Sequence, residues 1–178
     1  MVRSSELAAI AAEIQAVVNS LGMGKPEEPT ELSTLGHFID MYDVLVTCAP
    51  LRSATRQLFS DGHYARAVEE ACKSLNNSVQ DKSGEPLDGV ALMQRVFTEK
   101  DPVLRLNNLR TTSQRDEQSG YMMILSGLMR GVRNPRAHDH KLMDSPTVAL
   151  ELLILINHLW RTVEQSKRRR NRSKSSAP

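Results

Sequence analysis

Hydrophobic residues recur at intervals of three and four along most of the chain, which is the period of an amphipathic α-helix. The most regular stripe has charged residues on its opposite side and consists of Tyr64, Val68, Ala71, Leu75 and Val79. A broader apolar pattern begins at Pro146 or Thr147 and continues to about Gln165. No segment of matching strength alternates as a strand would, and no internal repeat is present. The pattern therefore predicts an all-α helical bundle.

Other segments of the predicted helical domain, residues 35–165, follow the same period less regularly. Helical patterns cover the part that surrounds Pro50, a shorter stretch from Asp88 to Phe97, and residues 121–132. Residues 99–118 are rich in Asn, Thr, Arg and Asp and are predicted as a long polar connection. A connection of this length is either a solvated loop or a functional segment that contacts phosphate. The final helix has a wide apolar surface, which favours contact on two sides and hence a dimer.

Both ends of the chain are predicted to lie outside this domain. Residues 1–21 carry a narrow apolar stripe and are predicted to form an amphipathic helix too short to be stable alone, so it should dock on the body or on a partner. Residues 22–34 contain glycines and prolines among polar residues and are predicted to be a linker. Residues 166–178 are basic and rich in serine, and we expect this tail to be disordered.

Composition limits the classes of function. With 178 residues, of which 40% are apolar, one domain can bury a core. Only 4% of the residues are aromatic, which argues against an RNA platform of stacked rings. Cys48 and Cys72 lack a second pair, which excludes a disulfide framework or zinc ribbon and favours packed thiols in a reducing compartment. Since neither a membrane-spanning stretch nor a signal peptide is evident, we expect a cytoplasmic protein without a membrane partner.

The net charge of +2 is unevenly distributed. Six of the 23 Lys and Arg residues lie after Glu164, where no acidic residue is found. The body of the chain is therefore mildly acidic, and any attraction for a polyanion must come from the tail or from a local cluster.

One short motif, Arg133-Asn134-Pro135-Arg136-Ala137-His138, combines a backbone constraint with two chemically capable side chains. Pro135 lacks a backbone donor, clashes with the preceding helical turn, and disfavours the α conformation at Asn134. The sequence therefore predicts that a helix kinks or restarts here and that Asn134 can cap the restarted turn. An unbroken helix would separate Arg133 and His138 by roughly 140° around its axis. A break would direct both toward one site.

Arginine and histidine suit phosphodiester chemistry. Arg stays charged and grips phosphate oxygens, whereas His can transfer a proton near neutral pH. Attack by a ribose 2′-OH requires a base and an acid, so two copies of the motif that meet across a two-fold axis would complete a site. This scheme requires no metal and no cofactor. Alternatively, His138 stabilises a turn and Arg133 pairs with Asp139 or another surface acid.

The remaining histidines are weaker candidates for chemistry. His63 is expected at a turn before a helix, and His37 and His158 are isolated. His138 and His140 lie two positions apart, which is a poor helical spacing for a metal, and no cysteine lies beside them. The sequence also lacks the motifs of acyl transfer, nucleotide hydrolysis and hydride transfer.

Several motifs in order resemble the Ymh-type family of uncharacterised bacterial proteins, which is itself similar to the HEPN superfamily. The resemblance covers about residues 50–165. Its motifs are Leu58-Phe59, Gly62-His63-Tyr64, Ala67 to Leu75, Asp88 to Met93, Asp101-Pro102 and Gly131 to His138.

This resemblance implies a helical bundle that dimerises, with an Arg-x4–6-His motif from each subunit forming a metal-independent endoribonuclease site. Such sites occur in toxin, abortive-infection and antiviral defence systems. By resemblance, Arg133 would stabilise the scissile phosphate, His138 would be the general acid or base, and Asn134 would be the polar residue after the arginine. Arg136 within the motif, and Arg130 and His140 on either side of it, are expected to contact the RNA. A well-known toxin variant has tyrosine where this chain has His140.

A second function remains open at this point, because many HEPN proteins are noncatalytic binding or assembly modules. In that case the N-terminal helix would recruit a partner, such as an antitoxin or a component of a defence complex. The basic tail would hold nucleic acid through the release of counterions.

Overall fold

The structure, a computed structural model, describes residues 12–13, 16–17, 31–139 and 141–169. The chain divides into two units, Met1–His37 and Phe38–Pro178. In the first unit, residues 12–13 and 16–17 are helical. The other residues of the predicted N-terminal helix, and most of the predicted linker, lie outside the described residues.

The second unit is helical, which confirms the predicted all-α bundle. The helices are α1 (Glu31–Leu45, which begins in the first unit), α2 (Ala49–Ser60), α3 (Tyr64–Ser83), α4 (Gly89–Phe97), α5 (Thr112–Gly127), α6 (Asn134–His138) and α7 (Pro146–Gln165). A π-helical turn, Leu128–Arg133, joins α5 directly to α6. Two short strands, β1 (Leu104–Arg105) and β2 (Lys167–Arg168), pair in antiparallel orientation. Because α1 begins at Glu31, residues 31–34 belong to a helix and not to the predicted linker.

Helix α3 is central to the core, since it packs against α2, α4, the π-helical turn and α7. Its apolar stripe is fully buried from Val68 to Val79, as its period predicts, and Tyr64 at its start is partly buried. Beside it, the ring of Phe59 lies 5.1 Å from that of Tyr42 and 5.2 Å from that of Tyr64, measured between centroids. The buried face of α7 closes the other side of α3.

Buried amides hold the starts of two helices. Asn157 on α7 accepts hydrogen bonds at Oδ1 from the backbone N–H groups of Thr47 at 3.0 Å and Cys48 at 2.9 Å, just before α2. Asn76 on α3 accepts a hydrogen bond from the N–H of Gly89, the first residue of α4, at 2.9 Å. These side chains satisfy backbone donors that a helix N-terminus leaves free.

The prediction of a polar connection over residues 99–118 is wrong from Thr112 onward. Helix α5 begins there, with a capping box in which the side chains of Thr111 and Gln114 bond each other's backbone N–H groups. The first turns of α5 are polar on all sides, and its apolar stripe starts only at Tyr121. Hydrophobic periodicity therefore missed the beginning of the helix.

Gln118 ties α5 to the segment before it. This fully buried side chain accepts a hydrogen bond from the N–H of Leu106 at 2.9 Å. Its amide nitrogen donates to the carbonyl oxygens of Phe97 and Leu104, both at 3.1 Å. Gln118 thus holds the segment between α4 and α5 against the core.

The predicted disordered tail begins with ordered structure. Strand β2 places Arg168 opposite Leu104, and the N–H of Arg169 donates to the carbonyl oxygen of Val103 at 2.9 Å. Arg169 also forms an ion pair with Asp101. Residues 170–178 lie outside the described residues.

Candidate functional site

The backbone at the Arg-His motif remains helical, although the helix type changes there from a π-helical turn to α6, which begins at Asn134. The expectation that Pro135 moves Asn134 out of the α conformation is wrong. Arg133 has φ −68° and ψ −51°, and Asn134 has φ −62° and ψ −43°. The N–H of Asn134 donates to the carbonyl of Met129, five residues earlier, as in a π-helix. The turn that follows has no side-chain cap, so the predicted capping role of Asn134 is also wrong.

The π-helical turn shows how the chain tolerates Pro135 without a break. In a regular α-helix the proline ring would press on the carbonyl of Gly131. The wider π-helical turn lies immediately before the proline, and we attribute the relief of this clash to it. The carbonyl oxygen of Val132 accepts a hydrogen bond from the guanidinium of Arg136 at 2.9 Å.

Arg133 is half-buried and only loosely paired. Its Nη1 lies 3.4 Å from Oδ2 of Asp88, whose side chain is 56% exposed. Its buried Nε has no hydrogen-bond acceptor among the described residues. This guanidinium therefore retains capacity to bind an anion.

Arg136 is held much more firmly. Its Nε and Nη2 donate to the two carboxylate oxygens of Asp144, each at 2.7 Å. The side chains are 8% and 7% exposed, respectively. The pair folds the loop after α6 back onto the helix, and it leaves Arg136 little capacity for the predicted contact with RNA.

His138 ends α6 and is exposed. Within the part of the chain that the structure describes, its ring has no hydrogen bond or ion pair, with Arg133 or with any other residue. Arg130, in the π-helical turn, is exposed and likewise has no such partner there. His140 lies outside the described residues. The structure thus leaves His138 and Arg130 accessible, without a direct bond that joins His138 to Arg133.

A cleft of about 290 Å³, which sequence reasoning missed, lies beside the motif. It separates the first turn of α3 from the loop that follows α6. Its polar lining consists of His63, Tyr64, Arg66, Glu69, Arg136, Asp139 and Asp144.

Glu69 is a buried acid of this cleft, as Asp144 is, although the periodicity placed Glu69 on the solvent side of α3. It is 6% exposed and forms ion pairs with Lys73 at 2.6 Å and with Arg66 at 2.9 Å. Burial raises the pKa of Glu69, but the hydrogen bond and charge of Lys73, together with Arg66, outweigh burial and lower it. The sequence feature that could have indicated these ion pairs is the spacing of opposite charges at three and four residues along α3.

The two cysteines are free and buried, which confirms that they are packed thiols. Burial raises the pKa of Cys72 to about 12, although the charges of Arg136 and Arg133 act to lower it. Cys72 is therefore a poor nucleophile at neutral pH. Among the described residues, no group of three or more His, Cys, Asp or Glu side chains is arranged to hold a metal ion.

A model of the family described as "Protein of unknown function (Hypoth_ymh)" matches residues 49–163. The match covers more than half of the chain, so the chain belongs to this family. No curated protein and no solved structure matches it. Of the helices that the structure describes, none has the length and apolar character needed to cross a bilayer.

Proposed function

We propose that this member of the Hypoth_ymh family is a metal-independent endoribonuclease of the HEPN type. Arg133 binds the scissile phosphate and His138 transfers the proton. One observation supports these roles most strongly. Among the described residues, neither Arg133 nor His138 is engaged in a strong structural hydrogen bond or ion pair. Arg133 has one long ion pair, and the exposed ring of His138 has no partner among the described residues.

The neighbouring arginine provides an internal contrast. The guanidinium of Arg136 donates hydrogen bonds to Asp144 and to the carbonyl oxygen of Val132. Only Arg133 of the pair therefore keeps donors available for phosphate, and we assign Arg136 a structural role. Asn134 directly follows Arg133, Arg130 lies three residues before it, and both would contact the RNA.

The proposed reaction balances without a metal ion. A base removes the proton of the ribose 2′-OH, and the oxygen attacks the adjacent phosphorus. The bond from phosphorus to the 5′ oxygen breaks, and an acid donates a proton to that leaving oxygen. The products carry a 2′,3′-cyclic phosphate and a 5′-OH. Arg133 stabilises the charge that develops on the phosphate oxygens.

This reaction needs two proton-transfer groups, whereas the motif supplies one histidine per chain. We propose that a second copy supplies the other across a two-fold axis. The exposed position of His138 at the end of α6 supports this arrangement. A Cβ added at Gly127 or Gly131 would meet no atom within 4 Å outside its own helix. No other part of the described chain packs closely on these two glycines, so a helix of the second copy could approach there.

We further propose that the enzyme acts in the cytoplasm as a toxin or phage-defence effector. An antitoxin or another component of a defence complex would bind through the predicted N-terminal helix. The His138→Ala variant should then relieve growth inhibition in cells that express the protein. Persistent inhibition by this variant would contradict an effector role based on cleavage.

A noncatalytic nucleic-acid-binding or assembly module is the second candidate. The observation that favours it is a basic cluster distinct from the motif. Arg168 in strand β2 and Arg169 after it line a cleft of about 390 Å³ together with Arg95, which pairs with Glu85 at 3.3 Å. A module of this kind would bind RNA through this cluster and would cleave nothing.

The proposed function is tested by incubating the purified protein with total RNA in EDTA. Wild type is compared with Arg133→Ala, His138→Ala and the matched control His158→Ala, whose histidine hydrogen-bonds Tyr121 on another face. We expect wild type and His158→Ala to cleave, and His138→Ala to be at least about 100-fold slower. RNA binding without cleavage by any of the four proteins would favour the module.

A further inference from the structure

Asp88 occupies a position at which aspartate ordinarily caps a helix, but it does not do so here. It immediately precedes α4 with an extended backbone, φ −131° and ψ 154°. An aspartate there usually accepts a hydrogen bond from the first turn of the helix. Its side chain makes no such bond. The carboxylate lies against Arg133 instead.

A buried side chain of the core holds the turn that carries Asp88 in this position. The N–H of Gly89 is bonded by Asn76, which is only 3% exposed. Gly89 has φ +57°, a conformation that favours glycine. A Cβ at Gly89 would lie 3.9 Å from Nη1 of Arg133. The fold therefore sets this turn directly against the guanidinium.

The contact between Asp88 and Arg133 is nonetheless weak. Its single distance of 3.4 Å exceeds the roughly 2.7–2.9 Å of a charge-assisted hydrogen bond. The Arg136 to Asp144 pair, three residues along the motif, makes two such bonds at 2.7 Å. Asp88 accepts from Nη1 only, and Nη2 of Arg133 has no acceptor among the described residues. A phosphate group, with several acceptor oxygens, can satisfy more of the Nη donors than Asp88 does.

We infer that Asp88 is a built-in competing anion, which occupies the phosphate site of Arg133 and is displaced when RNA binds. The identity of the ligand rests on the proposed function. Asp88 weakens the binding of any phosphate that Arg133 alone would hold. Ligands that supply further contacts, as a nucleic acid strand does, overcome this competition.

The test is a double-mutant cycle on binding, which does not depend on cleavage. The probe is a fluorescent 2′-O-methyl oligoribonucleotide, in which the attacking oxygen is blocked. Its dissociation constant is measured by anisotropy, at one fixed salt concentration, for wild type, Asp88→Asn, Arg133→Ala and the double variant. Asp139→Asn serves as the matched control, because it removes an exposed carboxylate near the motif that has no ion pair with Arg133.

We expect Asp88→Asn to tighten binding about three- to fivefold, as loss of a weak competing pair should. The same substitution should have no effect when Arg133 is alanine, and Asp139→Asn should change the dissociation constant by less than about twofold. Equal tightening in both backgrounds would overturn the inference, because it would reflect the loss of charge alone. Weaker binding by Asp88→Asn, or no binding by any variant, would also overturn it.

The same proteins, assayed on cleavable RNA, separate this inference from the proposed function. Coupling between Asp88 and Arg133 without any cleavage would support an anion site regulated by Asp88 and contradict the nuclease. Cleavage that depends on His138, without such coupling, would support the nuclease and overturn the role of Asp88.

Discussion

Arg136 and Asp144 form a two-point ion pair in which both bonds measure 2.7 Å and both side chains are more than nine-tenths buried. The pair closes the loop after α6 onto the helix that carries the Arg-His motif. Two arginines three positions apart thus have different environments, since Arg133 is loosely held and Arg136 is locked. This difference is the basis for proposing a structural role for Arg136 and ligand binding for Arg133.

Replacing Arg136 should therefore reduce stability. Arg136→Gln leaves the Asp144 carboxylate buried without its partner, and we expect a loss of about 3 kcal/mol in the free energy of unfolding. Urea denaturation measures this loss directly. The matched variant Arg130→Gln, at an exposed position, should change the free energy by less than about 0.5 kcal/mol. If Arg136→Gln were as stable as this control but bound RNA less well, Arg136 would be a substrate residue.

Acidification should weaken the fold partly through Glu69. Its pKa in the folded chain lies below the ordinary value of 4.5, so the native state favours its charged form. The resulting stabilisation is complete above the ordinary pKa and is lost as pH falls through the lowered folded pKa. Asp43, whose pKa is lowered chiefly by its hydrogen bond to Arg56, contributes in the same direction.

The role of Glu69 can be isolated by comparing urea midpoints at neutral pH and below about pH 4. Wild type should lose more stability over this range than Glu69→Gln, because the variant has no carboxylate to protonate. The control Glu151→Gln, at an exposed position of α7, should follow wild type. Parallel losses in wild type and Glu69→Gln would show that the cleft ion pairs do not stabilise the fold.

The cysteines should be unreactive in the native protein. Burial raises the pKa of Cys72 to about 12 and also raises that of Cys48, so little thiolate forms at pH 8. We expect iodoacetamide to modify neither residue in the folded state and both in urea, as mass spectrometry would show. Modification of folded Cys72 at the rate seen in urea would contradict the packing around α3.

Hydrophobic periodicity was sufficient to predict the helical bundle. The final helix, predicted from Pro146 or Thr147 to about Gln165, is observed as α7 over Pro146–Gln165. Periodicity failed where structure depends on polar contacts or on distant residues. The start of α5 relies on a capping box and on Gln118. Strand β1 depends on pairing with a segment more than 60 residues later, which no local pattern reveals.

The candidate site was predicted in part. The motif itself identified Arg133 and His138, but the local rules for Pro135 predicted a kink or a restart and did not predict the π-helical turn that precedes the proline. The partners Asp88 and Asp144 were not predicted, because tertiary packing brings them to the arginines. Glu69 looked like part of a solvated face, since the sequence does not show that the loop after α6 lies across a cleft from it.

The central claim is most directly tested with a DNA oligonucleotide that contains a single ribonucleotide, incubated with the protein in EDTA. If His138 and Arg133 promote attack by the 2′-OH, cleavage will occur only after the ribonucleotide. The 5′ product will then end in a 2′,3′-cyclic phosphate, identified by mass spectrometry. His138→Ala should leave the oligonucleotide intact, and the all-deoxy strand should resist wild type. Cleavage of the all-deoxy strand, or equal cleavage by His138→Ala, would contradict the proposed mechanism.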